Sequence, residues 1–557
     1  MIKRTAARIL VDQLVIQGVD TIFCVPGESF LAVLDALVDA PQIRLVTCRH
    51  EGAASMMAEA HGKLTGRPGV VFASRGPGTT NASSGLHVAI QDSTPYILFI
   101  GQNPRDVMER EAFQEVDYRR MLATQAKLVV QVDDAARMSE FVTRAFQVAI
   151  SGRPGPVVVA LPEDMLTDEA VTIDGKRCEV PEGDPAPATL DKIRVALDTA
   201  ERPLLMVGGG DWSLAEADDL RRFVEATGLP CCATFRRQDK LSNDHPSYIG
   251  EIGLGANPKL LARVAQADLL LVLGARLGDI GTDGYGIMTA PRPAQKLIHI
   301  YPAADEFSHV YQPDLAVVAR PGRCAQALAG IAQVDGSRWA DWTRSARADF
   351  EAWTAPRKTV GAMQMCEVMT WLDATQPDDT IYTNGAGNFS VWLHRFHRYR
   401  QLGTQVAPVC GSMGYGLPAA ISAKLHKPDA RVICFAGDGD FQMVLAELAT
   451  AVENDAAVIV LILNNGILGT IRMHQERTYP GRVSGTTLKN GNPDFVKLAQ
   501  AYGAYGERVE TADAFPDAFA RAVAAGVPAV LDLVIDPETI TPAASLTELR
   551  ENALKSR

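Results

Sequence analysis

The sequence predicts an α/β protein of three doubly wound parallel-sheet domains. Its 557 residues exceed what one hydrophobic core holds. Near-continuous apolar runs of strand length alternate with helical stretches, as in parallel sheets covered on both faces. Two breaks interrupt the alternation: a proline-, glycine- and acid-rich stretch at Val180–Pro187, and a connection near 336–360. The expected domains are 1–170, 188–335 and 361–540, with a polar tail over 541–557.

In the first block a helix is expected around 4–18, then strand Thr21–Val25, a glycine turn at Pro26-Gly27 and a helix over 28–38. Strand Val70–Ala73, a helix over 80–91 and strand Tyr96–Ile100 follow, and Pro156–Pro162 closes the block. The second block carries strands Pro203–Val207 and Asp268–Leu273, each running into glycine. In the third, Gly437-Asp438-Gly439-Asp440 opens a helical stretch, and the apolar run Val458–Leu463 then closes on Asn464-Asn465. The first and third blocks are compatible with one shared doubly wound fold.

A net charge of −12 and a pI near 5.4 argue against a nucleic-acid partner, which calls for a clustered basic face. Nine cysteines, scattered apart from Cys231-Cys232, form no disulfide or metal-ligand framework, and the odd count fits a reducing compartment. The first ten residues lack the apolar core of a secretion signal, and no apolar stretch approaches the ~20 residues that span a bilayer. A cytoplasmic protein with no membrane partner is expected. His394 and His397, set among arginines and tyrosine, are expected on a solvated basic face.

The chemistry centres on Asp438 and Asn465, 27 residues apart at the ends of two strands joined by one crossover. A right-handed crossover brings both side chains to the carboxyl edge of the sheet, where open α/β folds bind ligands. A carboxylate and an amide oxygen there, with the Ile467 carbonyl as a third donor, suit a magnesium ion that keeps phosphate oxygens in its shell. Gly437 and Gly439 let backbone approach closely, and the following helix turns its positive end to an anion. Alone, Gly-Asp-Gly would be a turn with Asp438 as cap; Asn464-Asn465 at this interval favours the metal. Glu51, in His50-Glu51-Gly52, opens a helix, where an isolated glutamate merely complements the helix dipole.

These stretches together resemble the acetolactate synthase branch of the thiamine diphosphate (ThDP)-dependent decarboxylases and carboligases. The likeness rests on Gly437–Met443 with Asn464-Asn465, Val25–Glu28, His50–Ala54, Arg75–Asn81, Ala112–Asp117, Gly152–Val157 and Gly411–Pro418. It implies ThDP and Mg2+ as cofactors, and pyrimidine-binding, central and diphosphate-binding domains in that order. Glu51 would activate the cofactor through its pyrimidine ring, the Gly411 carbonyl would receive the pyrimidine amine, and Met413 would wedge the two rings apart. Gly27, Gly387, Asn388, Gly439, Asp440 and Gly469 would complete the cofactor contacts, and Asp438, Asn465 and Ile467 the metal shell. Gln114 and His474 are the further catalytic candidates, and Phe113, Arg276 and Ile471 the substrate candidates. The resemblance also implies a homodimer or homotetramer with sites shared between copies.

Three departures from acetolactate synthase bear on substrate. His474 stands where a tryptophan is usual, Leu161-Pro162-Glu163 replaces Leu-Pro-Lys, and Phe235–Lys240 replaces the Met-Gly-Leu-Gly loop. They count against pyruvate specificity and against FAD, for which Gly208-Gly209-Gly210 is weak support. The expected activity is decarboxylation of a 2-oxo acid, with the resulting enamine released as an aldehyde or ligated to a second carbonyl. The alternative is a C–C lyase acting on 2-hydroxyacyl-CoA or acyloin substrates. A catalytically silent scaffold would have lost Glu51, Asp438 or Asn465, and all three are present.

Overall fold

The computed structural model describes residues 2–181, 183–331, 334–488 and 490–556. Glu182 of the first expected connection and Arg557 of the tail lie outside the described residues.

The chain folds as three six-stranded, wholly parallel sheets. In the N-terminal sheet the strands lie in the spatial order Arg44–Thr47, Thr21–Cys24, Gly69–Ala73, Tyr96–Gln102, Pro156–Pro162, Leu128–Gln131. The C-terminal sheet runs Gln405–Val406, Ile381–Asn384, Val432–Gly437, Ile459–Asn464, Ala529–Val534, Tyr505–Val509. Numbered along the chain, both orders are 2-1-3-4-6-5, so the first and third blocks do share one topology. The middle sheet differs. Its strands Pro203–Val207, Cys231–Thr234, Tyr248–Ile252, Leu269–Leu273, Lys296–Tyr301 and Leu315–Val318 take the order 3-2-1-4-5-6, that of dinucleotide-binding folds.

Every residue of strands Gly69–Ala73, Tyr96–Gln102, Pro156–Pro162 and Val432–Gly437 is buried, because helices cover both faces. One apolar cluster is continuous from the N-terminal sheet into the C-terminal one. Its seam is helix Glu51–Thr65 against helix Gly416–His426, both rich in alanine, glycine and serine at the contact. Buried charge crosses the same seam: Glu59 accepts from the Tyr415 hydroxyl, and Lys63 donates to the Ala407 carbonyl at 2.9 Å.

Several segments depart from expectation. The connection near 336–360 contains a helix, Ala340–Thr354, whose Phe350, with Trp339 just before it, joins one apolar cluster of the middle domain and whose Ala346 joins the other. The polar tail folds as helix Leu546–Lys555, opened by a capping box between Ser545 and Glu548. Leu546 packs on Met473 and Ile540, and the Arg550 guanidinium forks onto buried Glu476 at 2.6 and 2.8 Å. The stretch after Asp438 is not one helix but Asp438–Gln442, a 3-10 turn at Leu445–Glu447 and Leu448–Glu453.

His394 and His397 are buried, which corrects the expected basic face. His394 Nε2 meets Asn384 Oδ1 at 3.1 Å, and His397 Nδ1 lies 3.2 Å from Asp373. Burial lowers the pKa of both rings. The sequence pattern misled because the neighbouring arginines carry the solvent-facing charge: Arg398 and Arg400 pair with Glu351, Asp244 and Asp373. Among the described residues no helix is long and apolar enough to cross a membrane.

Candidate functional site

Three strands of the C-terminal sheet end side by side, Ile381–Asn384, Val432–Gly437 and Ile459–Asn464. The turns that follow them enclose a cleft of about 310 Å3. It brings together Gly387, Asn388, Gly411, Met413, Asp438, Gly439, Asp440, Asn465, Ile467, Gly469 and Ile471. The sequence reading missed its apolar wall, Phe389, Met443, Leu463 and Leu468, since nothing local separates such residues from core.

Close approach dictates the glycines. A Cβ on Gly439 would lie 2.7 Å from Leu468 Cδ2, and one on Gly385 would lie 2.1 Å from Asp440 Oδ1. Gly411 is different: it has φ +71°, and a Cβ there would meet nothing within 4 Å, so its backbone stands open to the cleft.

Asp438 is 2% exposed, and burial raises its pKa. Its Oδ2 accepts from Gly466 N–H at 3.0 Å and from Asn492 Nδ2 at 2.7 Å. Asn492 also reaches Asn464 Oδ1 at 3.2 Å and accepts from Gln442 at 2.8 Å, tying together the two strand ends. No sequence motif marked Asn492, which arrives from a distant loop. Asp440 Oδ1 accepts Ala386 N–H at 3.1 Å and Gly414 N–H at 3.0 Å. Its carboxyl is pushed up to about 7 by burial.

Among the described residues no cluster of three or more His, Cys, Asp or Glu could hold a metal. A cation at this edge would rest on Asp438, with the Asn465 amide oxygen and the Ile467 carbonyl, which line the cleft together. That donor set fits magnesium sharing its shell with diphosphate oxygens.

The N-terminal sheet presents a second cluster at its own carboxyl edge. Glu51 opens helix Glu51–Thr65, and Asn81 Nδ2 donates to its Oε2 at 3.0 Å. His50 caps that helix, Nδ1 accepting Gly52 N–H at 3.0 Å. A Cβ on Gly27 would sit 1.8 Å from Ser74 Oγ, so a larger residue would have to turn that hydroxyl away. Gln114 has φ +62° and packs over Gly76, while neighbouring Phe113 is 73% exposed. None of Gly27, Glu51, Phe113 or Gln114 lines the C-terminal cleft of the same chain.

Two candidates fall elsewhere. His474 is exposed, one turn beyond Thr470 and Ile471 on helix Gly469–Thr478, and is not among the residues lining the cleft. Arg276 lines a separate crevice of about 470 Å3 between domains, which it shares with Gly411. Its Nε donates to Glu306 at 3.1 Å. Nearby, Arg237 turns to Asp92, 3.6 Å away. Each of these guanidiniums thus has a carboxylate neighbour within the fold. Glu163, the charge reversal seen in the sequence, is answered by Arg75 at 2.7 Å.

Comparison with known proteins agrees with this geometry. Residues 4–121 match the thiamine pyrophosphate enzyme N-terminal TPP binding domain, 190–328 the central domain and 385–533 the C-terminal TPP binding domain. A probable acetolactate synthase large subunit of Methanocaldococcus jannaschii is 31% identical over 96% of this chain and 93% of its own length. The acetolactate synthase isozyme 2 large subunit of Escherichia coli is 31% identical over 98% and 99%. The chloroplastic acetolactate synthase of Arabidopsis thaliana is 32% identical over 94% and 77%.

Proposed function

The chain belongs to the thiamine pyrophosphate enzymes, as an acetolactate synthase-like member, and from that membership we propose how its residues divide the work. The carrying observation is the carboxyl-edge cleft in which Asp438 and Asn465 meet Gly411 and Met413. Asp438, Asn465 and the Ile467 carbonyl would hold Mg2+ and, through it, the cofactor diphosphate. The carbonyl of Gly411, an exposed residue in left-handed backbone, would accept the pyrimidine amine, and Met413 would fill the angle between the rings. Gly387, Asn388, Gly439, Asp440 and Gly469 would shape the surrounding backbone, with Thr470 Oγ1 fixing Asn388 N–H at 2.9 Å.

Bound ThDP supplies the electron sink that lets a 2-oxo acid lose CO2 and its remaining fragment be protonated or joined to a second carbonyl. Glu51 would hold the proton that it shares with the pyrimidine ring nitrogen. Phe389, Met443 and Leu468 would keep the cleft dry. Gln114 and Phe113 would face the reacting side. Exposed His474, one turn beyond Ile471 and outside the cleft lining, takes no step from this geometry, and Arg276 would meet an acceptor carboxylate by exchanging its Glu306 partner.

Because Glu51, Gly27 and Gln114 stand at a different sheet edge from the cleft, a complete site calls for a second copy of the chain. We therefore propose a homodimer or homotetramer with shared sites. A cytoplasmic setting suits nine unbridged cysteines. The substrate is a small 2-oxo acid, a reading that the relatives' activity supports over 2-hydroxyacyl-CoA cleavage.

The test is CO2 release from pyruvate by purified protein with ThDP and Mg2+, with the product identified by NMR. Acetolactate supports a synthase. Absence of CO2 from pyruvate and from bulkier 2-oxo acids, with ThDP bound, overturns the decarboxylase reading.

A further inference from the structure

Arg236 lies in Phe235–Lys240, the loop in which this chain departs from acetolactate synthase. It is 2% exposed, unusual for an arginine. Its backbone sits at φ +60°, a left-handed conformation that costs a non-glycine residue energy and persists where surrounding structure enforces it. Oε1 of the Glu251 carboxyl group accepts its backbone N–H.

The side chain leaves the middle domain for the C-terminal one. There Nη1 donates to the Pro408 carbonyl, and Nη2 donates to the Gly385 carbonyl at 3.0 Å. Both carbonyls belong to turns of the cleft. Gly385 leads into Ala386, Gly387 and Asn388. Pro408 leads into Gly411 and Met413, and its carbonyl also accepts Gly411 N–H at 3.1 Å. The same two turns are the ones that Asp440 grips through Ala386 N–H and Gly414 N–H. A buried guanidinium thus holds their carbonyls while a buried carboxyl group holds their N–H groups.

We infer that Arg236 is a positioning residue for the cofactor cleft: it sets the spacing of the 385–388 and 408–413 turns, and so the place of Gly411 in the cleft. An ordinary interdomain tie could end on any surface carbonyl, whereas both bonds of this guanidinium end on cleft turns. The planar fork is what allows one side chain to serve two carbonyls in fixed directions. The inference rests on the cleft being the ThDP site.

The experiment is calorimetric titration of wild type, Arg236→Met and Arg236→Lys with ThDP at saturating Mg2+, alongside thermal melts of the cofactor-free proteins. Wild type that fails to bind ThDP removes the cofactor reading itself. With wild type binding, Arg236→Met is expected to melt cooperatively and to bind ThDP about tenfold or more weakly. Arg236→Lys should recover part of the loss, since an ammonium lacks the fork. Wild-type affinity in both variants overturns the inference, whatever their melting temperatures. If Arg236→Met does not fold, Arg236→Lys decides: about threefold weakening or more supports the inference, and unchanged affinity overturns it.

Discussion

Glu447 Oε1 accepts the backbone N–H of His50 at 3.0 Å and that of Arg49 at 3.1 Å. A side chain of the C-terminal domain therefore sets the turn that presents Glu51. Glu447 is 1% exposed and its remaining oxygen takes the Thr450 hydroxyl at 2.6 Å. Glu447→Ala would strand two N–H donors, each at a cost of about 1–3 kcal/mol if left unpaired. We expect a lower melting temperature and slower turnover, with ThDP affinity close to wild type because the cleft is untouched. Calorimetry and steady-state kinetics check this; unchanged turnover would remove Glu447 from the support of Glu51.

Glu51→Gln keeps the shape of the side chain and its contact with Asn81 but cannot hold the carboxylate's proton. The variant should bind ThDP and Mg2+ like wild type and lose about 100-fold or more in turnover. Equal turnover would remove Glu51 from the chemistry.

Metal dependence follows from the donor set at Asp438, Asn465 and Ile467. A chelator should abolish the rise in melting temperature that ThDP produces, and added Mg2+ should restore it. Asp438→Ala should leave the protein folded yet deaf to Mg2+ in the same assay. A ThDP response that survives chelation would place the diphosphate elsewhere.

Stability should fall with rising pH through Glu251. Burial pushes its carboxyl up to about 8, against the opposing Arg236 N–H and charge, from an ordinary value of 4.5. Between those values the folded chain holds a proton that the unfolded chain has released. The contribution is thus fully present below about 4.5 and lost as pH rises through about 8. Glu251→Gln removes the titration, so wild type should lose stability relative to the variant across that window. Urea midpoints measured over the range check the sign; parallel curves would contradict it.

Some of this was legible in the chain. Parallel strands announced themselves because burial on both faces demands uninterrupted apolar runs, as in Val458–Leu463. Asp438 and Asn465 could be paired on paper because one right-handed crossover leaves little choice about which edge two strand ends share. The tail helix was legible too, through the Ser545–Glu548 capping box, but its charge outweighed that signal. Other features carried no local mark. Asn492 bonds to Asp438 across a loop of unremarkable sequence, and Arg236 reads as any loop arginine until its carbonyl partners are seen.

The sequence by itself determined the α/β class, the alternation of elements and the chemistry available at each strand end, because periodicity and strand–turn spacing are local properties. Tertiary structure alone decided which turns face one another: that Glu447 holds the Glu51 turn, that Arg236 and Asp440 grip the same two loops, and that His394 and His397 are buried. Those outcomes depend on which surfaces cover which, and burial is a property of neighbours brought together by the whole fold rather than of any segment.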